Sequence, residues 1–444
     1  MSTRSLRVIV AGGGIGGLCL AQGLHAAGIG VEVYERDAAP DARSQGYRLN
    51  IEPVGSRALH DCLPPHLWDI LVATAGDPGP GMGVFTERLR LLMREDDPPP
   101  GLGPSERTHA VSRITLRRLL LAGLDGVVRF GKEFTGYRQN ADGTVTALFA
   151  DGTSATGDLL VGADGVRSRV RRQLLPHAGQ RDAPGVGIGG KLRLGDETAW
   201  LPREMSSTKN MILPKRDFLF TAVFRRREGG AAVAERAGDR LRAAGLDPDL
   251  LIQDMKDDDY VMWAFVAHRN ELPPEPPVDL PGDLPADLPG ADGRRLRDLV
   301  TSRLADWHPD LRELIGRTPA DTIERFDFAA AATVRPWPTT NVTLLGDAIH
   351  HMPPVGGLGG NAALFDADAL RRALIAVHRG EQELLPALAA YERAMLRHGF
   401  GAVRAATWYL RLAVLRSRAV RAAARTFFRL CGAVPALRRA VFSD

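Results

Sequence analysis

Residues 6 to 17 read LRVIVAGGGIGG, and this stretch decides the fold. The apolar, β-branched run 6–11 is typical of a buried parallel strand. It leads directly into the pattern G-x-G-x-x-G at Gly12, Gly14 and Gly17. The first glycine of such a pattern allows a tight turn, the second lets the backbone approach a pyrophosphate, and the third lets the next helix pack closely on the strand. The stretch therefore predicts the strand, turn and helix of a dinucleotide-binding fold.

The following residues continue this unit. A helix from about 15 to 27 would point its N-terminal N–H groups and the positive end of its dipole at a diphosphate. Residues 31–35 read as the second strand, and its last residue, Glu35, can accept both ribose hydroxyls of an adenosine, with Arg36 beside it. NAD and FAD share this ADP-ribose portion, so the segment alone does not distinguish the two cofactors.

A second glycine-rich stretch lies late in the chain. Residues 341–345 predict another buried strand, after which the carboxylate of Asp347 is placed to bind a sugar-alcohol hydroxyl; a helix cap is the alternative. The proline turn and glycine loop at 353–361, with a helix from about 362 to 377, offer backbone N–H groups to an anionic group. A reduced flavin carries negative charge at its N1–C2 edge, so this loop favours a flavin over an ordinary Gly/Pro connection.

Three stretches together resemble a known family. They are residues 12–17, 158–171 (DLLVGADGVRSRVR) and 346–370 (GDAIHHMPPVGGLGGNAALFDADAL). In this order and spacing they are similar to the single-component FAD-dependent aromatic hydroxylases of the para-hydroxybenzoate hydroxylase type. The resemblance covers about 1–175 and 295–400. It implies an α/β fold with a Rossmann-type FAD-binding lobe, a mostly antiparallel β-sheet substrate lobe and a C-terminal helical segment.

The resemblance also implies which residues bind FAD, which is held without a covalent bond. The glycines of the first motif hold the pyrophosphate, Glu35 the adenosine ribose, and Arg113 contacts the FAD chain. Asp164 lies beside the pyrophosphate and the nicotinamide donor, Asp347 near the ribityl or pyrophosphate region, and residues 359–361 face the isoalloxazine. The full set is Gly12, Gly14, Gly17, Glu35, Arg36, Arg113, Asp164, Asp347, Pro354, Gly359, Gly360 and Asn361.

The chemistry implied by the resemblance is that of a monooxygenase of secondary metabolism. NADH or NADPH reduces FAD, O2 adds at the flavin C4a position, and the hydroperoxide transfers an oxygen to an aromatic, polycyclic or polyketide-like small molecule. Epoxidation, Baeyer–Villiger oxidation and other flavin oxidoreductase reactions share these motifs and stay open, as does a non-catalytic flavin-binding scaffold. The Trp-x-Trp-x-Ile-Pro segment expected of a halogenase is absent from the sequence.

No motif identifies a general acid or base. Arg48 follows the segment where the family's chain passes the flavin, so it is a candidate to polarise a phenolate or to line the flavin channel; a salt bridge to Glu52 or another acidic residue is the alternative. His351 adjoins the proline turn, which suggests an active-site position, but the sequence favours the alternative, a structural histidine with satisfied hydrogen bonds. Met262 and Trp263 belong either to the substrate cavity or to the core.

The pattern of elements predicts three regions. Residues 1–183 plus 291–380 form a discontinuous FAD-binding domain, 184–290 a β-sheet substrate domain ending in a proline-rich loop, and 381–444 basic C-terminal helices. Larger members of the family continue into a thioredoxin-like domain, which we do not expect here.

The basic character is concentrated in the C-terminal tail. Residues 393–444 contain eleven arginines and one acidic residue, a balance of +10, whereas the whole chain carries +4. Exposed aromatic residues do not alternate with a basic groove, so nucleic acid is not an expected partner. Arg404, Arg411, Arg418 and Arg425 recur every seven residues, which predicts one face of a helix. A solvated face of a docked helix, a membrane-surface helix and a site for an acidic partner stay open.

The cysteines and apolar runs indicate a location. Cys19, Cys62 and Cys431 have no metal-binding spacing and no disulfide framework, so we expect no metal and a reducing, cytoplasmic compartment. The N-terminal apolar stretch is interrupted by glycines, unlike a signal peptide. No uncharged apolar run is long enough to predict a membrane span.

Overall fold

The computed structural model describes residues 6–40, 48–76, 79, 81–95, 101–225, 235, 238–243, 245–247, 249, 259–272 and 291–442. Its strands are β1 Arg7–Ala11, β2 Gly30–Tyr34, β3 Leu49–Ile51, β4 Gly83–Phe85, β5 Leu91–Arg94, β6 His109–Val111, β7 Val128–Arg129, β8 Phe134–Gln139, β9 Val145–Phe149, β10 Ser154–Gly157, β11 Leu159–Gly162, β12 Gln180–Arg193, β13 Asn210–Ile212, β14 Phe218–Phe224, β15 Tyr260–His268, β16 Glu324–Ala331 and β17 Val342–Leu344. Its α-helices are α1 Ile15–Ala26, α2 Pro53–Cys62, α3 Pro65–Thr74, α4 Arg113–Leu121, α5 Arg169–Leu174, α6 Gly238–Ala243, α7 Ala291–Arg303, α8 Pro309–Gly316, α9 Asp347–His350, α10 Leu358–His378, α11 Leu384–Ala413, α12 Arg418–Ala433 and α13 Pro435–Phe442.

A five-stranded parallel sheet forms the first lobe. Its order is β17-β11-β1-β2-β7, and every neighbouring pair is parallel. The near-continuous apolar runs of β1 and β11 are buried on both faces, as parallel strands require. The carboxyl ends of parallel strands lie at one edge of the sheet, so β1, β2, β11 and β17 deliver the segments that follow them to the same crevice. The predicted Rossmann-type lobe is confirmed.

A seven-stranded sheet forms the second lobe and is mostly antiparallel, as predicted. Its order is β16-β12-β15-β14-β13-β4-β5, with one parallel pair between β13 and β4. The sheet extends beyond residues 184–290, because β4 and β5 come from residues 83–94 and β16 from residues 324–331. Three- and four-residue strands such as β4 and β5 are too short to show an alternating pattern, so only long-range pairing reveals them. Helices α7 and α8 cover one face over Trp263 and Phe265.

The C-terminal segment is helical but divided. Helix α11 ends at Ala413 and α12 begins at Arg418, so the prediction that four arginines share one helix face is wrong. The break occurs where the chain turns to lay α12 on the edge of the second sheet. Arg421 is buried there, and its guanidinium donates to the carbonyl oxygens of Leu415, Ala413, Pro214 and Asp217 at 2.6 to 3.2 Å. This end of the tail is therefore packed into the molecule.

Two small sheets, β10-β9-β8 and β3-β6, flank the first lobe. The proline-rich run 273–290 and the residues just before Arg48 lie outside the described ranges. Among the helices that the structure describes, none combines the length and apolar character needed to cross a membrane.

Candidate active site

One large cavity lies between the carboxyl edge of the parallel sheet and one face of the seven-stranded sheet. Its volume is about 3420 Å³, several times that of a drug-sized pocket of about 300–1,000 Å³. The glycine motifs of the first lobe line one part of it, and apolar residues of the second lobe line another. The space is sufficient for a dinucleotide and a second small molecule together.

The first motif forms a close-packed turn under the cavity. Gly12 has φ of 111°, and a β-carbon there would collide with the carbonyl oxygen of Ala163. A β-carbon at Gly17 would collide with the carbonyl oxygen of Gly12, so only glycine lets α1 approach β1 this closely. Gly14 faces open space and lines the cavity at the N-terminus of α1. This arrangement leaves room for a diphosphate against the first backbone N–H groups of the helix.

Glu35 stands at the end of β2 with its carboxylate already oriented. Oε2 accepts from the N–H of Gly13 at 2.7 Å, and Oε1 accepts from the N–H of Asp37 at 2.9 Å. The residue is buried yet contributes to the cavity wall, and exposed Arg36 lines the cavity beside it. A carboxylate held in this way can accept hydroxyls of a ribose without first losing a shell of water.

Basic side chains surround the same part of the cavity. Arg113 is the first residue of α4, is exposed and lines the cavity. One turn later, Arg117 donates to the carbonyl oxygens of Gly13 and Pro40 and so clamps the first motif onto α4. Arg118 also lines the cavity. The concentration of positive charge suits a pyrophosphate.

The two carboxylate oxygens of Asp164 have different environments. Oδ2 accepts from the N–H groups of Arg169 and Val170 at 2.7 and 3.2 Å and thereby caps α5. Oδ1 is buried and has no hydrogen-bond partner within the described residues, although the residue lines the cavity. A buried acceptor without a donor costs about 1–3 kcal/mol. A hydroxyl donor on a bound dinucleotide would remove that cost, so this residue fits the cofactor.

The late motif presents Asp347 to the cavity. Gly346, with φ of 63°, is the cap residue before α9, and its N–H donates to Oδ2 of Asp366 at 2.9 Å. Asp347 is the first residue inside this short helix, is exposed and lines the cavity. Its carboxylate has no hydrogen-bond partner within the residues described, so the structure offers no support for the helix-cap alternative.

The glycine loop leaves an open surface at the start of α10. Gly356 and Gly357 have φ of 81° and 67°, and this left-handed pair turns the chain into the helix. Gly359 and Gly360 line the cavity, and a β-carbon at Gly360 would meet nothing within 4 Å. Pro354 also lines the cavity. The positive N-terminal end of this 21-residue helix can therefore approach a flat anionic ring edge closely.

Asn361 has a different placement. It is buried and does not contribute to the cavity wall described here. Its Oδ1 accepts from the N–H of Glu52 at 2.9 Å, and its Nδ2 donates to the carbonyl oxygens of Asn50 and Gly357 at 3.1 and 3.0 Å. The side chain thus fixes the glycine loop to β3 and directs the backbone, rather than its amide, toward the cavity.

The two histidines of the motif have separate environments. His351 is buried, lies behind the cavity wall, and its ring nitrogens have no hydrogen-bond partner among the described residues. Burial lowers the pKa of His351, so the imidazole is neutral near pH 7. His350 instead contacts Asp366, and the distance between its Nε2 and Oδ2 of Asp366 is 2.6 Å. Both side chains are fully buried. Burial opposes the charge on His350, but attraction to Asp366 outweighs it and raises the pKa of His350.

This buried pair was missed by sequence reasoning. The only signals are a histidine three residues after Asp347 and an aspartate at an apolar position of α10. Neither residue type reveals a partner 16 positions away.

Arg48 lies where the two lobes meet. Its backbone N–H donates to the Tyr260 hydroxyl at 3.0 Å, and the residue lines the cavity. Glu52, the alternative partner, accepts from the Thr108 hydroxyl at 2.9 Å instead. The Nζ of Lys191 lies 5.7 Å from the centre of the Tyr260 ring. The backbone of Arg48 and the ammonium group of Lys191 therefore both contact this tyrosine, at the border between the cofactor region and the apolar sheet face.

Alternate residues of the second sheet form an apolar cavity wall. They are Gly187, Gly189, Phe218, Phe220, Ala222, Phe224, Met262, Ala264, Val266, Phe326 and Phe328. Met262 belongs to this wall, whereas Trp263 points to the opposite face, where it is fully buried and its Nε1 donates to Thr318 Oγ1 at 2.9 Å. The strand alternation thus answers which of the two lines the cavity. Such a wall can hold an aromatic molecule and keep water away from a reaction.

Within the ranges that the structure describes, no group of three or more histidine, cysteine, aspartate or glutamate side chains is arranged to hold a metal ion.

Comparison with known proteins gives a consistent result. The family described as FAD binding domain matches residues 5–187 and 301–406. The chain is 32% identical over 410 residues to the dual O-methyltransferase/FAD-dependent monooxygenase of Cercospora beticola, covering 89% of this chain and 44% of that protein. It is 29% identical over 389 residues to the aurachin C monooxygenase/isomerase of Stigmatella aurantiaca, covering 87% and 84%.

A solved structure supports the same assignment. A protein assigned as an FAD-containing monooxygenase from Photorhabdus luminescens subsp. laumondii has a TM-score of 0.77 and 32% identity, covering 93% of this chain and 99% of its own. The chain spans less than half the length of the dual-function relative. These matches confirm the resemblance to single-component flavoprotein hydroxylases and the choice of FAD. The chain belongs to the FAD binding domain family, among relatives named as FAD-dependent monooxygenases.

Proposed function

We propose that this protein is an FAD-dependent monooxygenase that uses NADH or NADPH and O2 to hydroxylate an aromatic or polyketide-like small molecule. The observation that carries the proposal is the continuity of one cavity, from the glycine motifs and Glu35 to the apolar face of the second sheet. When bound, FAD would accept a hydride from NAD(P)H and, once reduced, would activate oxygen. The protein supplies binding, orientation and exclusion of water.

Each predicted cofactor residue has a proposed role. The backbone around Gly12, Gly14 and Gly17 holds the pyrophosphate, with Arg113 and Arg36 providing positive charge. Glu35 binds the adenosine ribose. Asp164 and Asp347 accept hydrogen bonds from hydroxyls of the dinucleotide chain. Pro354, Gly359 and Gly360 form the surface for the ring, while Asn361 positions that surface through Asn50 and Glu52.

Two further residues, Arg48 and His351, have proposed roles outside cofactor binding. Arg48 orients an anionic or phenolic group of the substrate, because it lines the cavity at the border between the lobes. His351 acts from behind the wall as a neutral imidazole that supports the loop carrying Pro354.

A cytoplasmic location fits the three buried cysteines, which are all free thiols.

The test is NAD(P)H consumption by the yellow holoprotein with a panel of phenolic and polycyclic compounds. Slow oxidation without substrate, strong stimulation by at least one compound, and a product heavier by one oxygen atom are expected. The position of that atom distinguishes hydroxylation from epoxidation or Baeyer–Villiger insertion. A folded protein that takes up no FAD, or FAD-loaded protein whose NAD(P)H oxidation no compound stimulates, would argue for a scaffold instead.

A further inference from the structure

Helix α12 directs two of its four arginines inward and exposes three large apolar side chains. Arg421 and Arg425 face the second sheet and donate to carbonyl oxygens, including those of Asp217 and Leu213. On the outer side, Val420, Phe427 and Leu430 are 47%, 40% and 51% exposed. A helix on the surface of a soluble protein normally has the reverse arrangement. The outer side of α12 therefore has the character of a contact surface.

This surface extends onto the neighbouring helix and reaches the cavity. We define the outer apolar face as Trp408, Tyr409, Leu412, Val420, Phe427, Leu430 and Val434. These are seven of the ten large apolar side chains that are exposed within the described residues. The first five line the same cavity as the FAD motifs, and a β-carbon at Gly356 would lie 3.5 Å from the Tyr409 ring. The outer apolar face thus begins at the glycine loop, at the mouth of the site.

The charges around this face favour an anionic membrane over a second copy of the chain. The sequence from 393 to 443 contains eleven arginines and no acidic residue. Arg404, Arg411, Arg418 and Arg429 are exposed on α11 and α12. Each arginine near an anionic membrane surface contributes about 1 kcal/mol of attraction, and tryptophan and tyrosine favour the membrane–water interface. A second copy of the chain would bring a second set of arginines to the contact, where like charges oppose association.

We propose that the outer apolar face docks on a lipid bilayer containing anionic headgroups, with the mouth of the cavity turned toward the membrane. The apolar side chains enter the boundary between headgroups and acyl chains, while the arginines reach the phosphates. The docking does not depend on the reaction. The consequence that an apolar substrate enters the cavity from the bilayer rests on the proposed monooxygenase function.

The experiment measures flotation of the FAD-loaded protein with phosphatidylcholine vesicles, with and without phosphatidylglycerol. Binding to the mixed vesicles, weakened by salt, is expected. The double variant Leu430→Ser and Val434→Ser should weaken this binding at least about tenfold, because two apolar side chains no longer enter the bilayer. Neither residue lines the cavity, so FAD content should be unchanged. Leu385→Ser is the matched control, because Leu385 is 48% exposed but lies outside the face.

The possible results distinguish a lipid bilayer from a second copy of the chain and from an acidic protein. Absence of flotation with anionic vesicles, or equal flotation of the double variant and the wild type, overturns the proposal. Light scattering that shows a dimer, dissociated by the double variant, assigns the face to a second copy and overturns it as well. Binding to an acidic protein without binding to vesicles has the same consequence. FAD content and stimulated NAD(P)H oxidation, measured on the same samples, distinguish failure of the docking from failure of the proposed function.

Discussion

The buried pair of His350 and Asp366 supports the turn that presents Asp347, and Asp366→Asn tests this connection. Oδ2 of Asp366 accepts from His350 Nε2 at 2.6 Å and from the N–H of Gly346 at 2.9 Å. Asparagine keeps the shape and one oxygen but removes the charge. The amide therefore still accepts from Gly346, while the ionic contact with His350 is lost.

The size of the effect follows from burial. Both side chains of the pair are fully buried, so water cannot replace the missing partner. Breaking one side of a buried ion pair destabilises a protein by about 3–5 kcal/mol. Because one hydrogen bond survives in the asparagine variant, we expect the free energy of unfolding to fall by about 3 kcal/mol. FAD affinity should fall as well, because the turn before Asp347 loses part of its support.

The charge on His350 determines how the stability difference between the wild type and the variant changes with pH. The pKa of His350 in the folded protein lies above its ordinary value of 6.5. A raised pKa means that the charged form stabilises the fold fully below pH 6.5, and that this contribution is lost as pH rises through the folded-state pKa. The difference in stability between the wild type and the variant should therefore be largest in mild acid and decrease toward alkaline pH.

The assay is urea unfolding at fixed excess FAD over a pH series, with an FAD titration of the apoprotein. Asp368→Asn is the matched control, because it removes a carboxylate from the same helix. Asp368 contacts Arg371 at 2.7 Å and Arg372 at 3.1 Å, and both arginines reach solvent, so water can partly replace the lost contacts and a smaller loss of stability than for Asp366→Asn is expected. A stability difference that does not change with pH, or an Asp366→Asn effect no larger than the control, would refute the reasoning.

Three other changes address the cofactor region, the tail and the apolar wall. Asp347→Ala should weaken FAD binding by roughly ten- to a hundredfold in a flavin fluorescence titration, because a charge-assisted hydrogen bond contributes about 1.5–3 kcal/mol; unchanged affinity would contradict the proposed role. Arg421→Met should lower the free energy of unfolding by about 3 kcal/mol in urea, because four carbonyl oxygens lose their donor, and Arg418→Met serves as the exposed control; equal effects would contradict the buried role. Ala264→Phe should abolish substrate-stimulated NAD(P)H oxidation while FAD content stays constant, because the ring fills the space over the second sheet; normal turnover would place the substrate elsewhere.

Much of the cofactor lobe could be predicted from local patterns. Strand β1 differs from the predicted run 6–11 by one residue at its start, and α1 differs from the predicted helix by one residue at its end. These elements depend on short-range periodicity and on glycines with specific tasks, which are visible in one stretch of sequence. The sequence did not decide whether Met262 or Trp263 lines the cavity, because this depends on long-range contacts. Both residues suit either face of a strand, and only the pairing of β15 with β12 and β14 sets which face meets the cavity.

The amino-acid sequence alone determined the parallel sheet, the glycine turns and the choice of a flavin dinucleotide, because each depends on neighbouring residues and on backbone conformations open only to glycine. The tertiary structure decided the rest. It turned Asn361 away from the cavity, joined His350 to Asp366, and placed Arg421 inside and Phe427 outside on one short helix. These outcomes arise from contacts between distant segments, where burial and hydrogen-bond satisfaction are set by the partner that folding supplies.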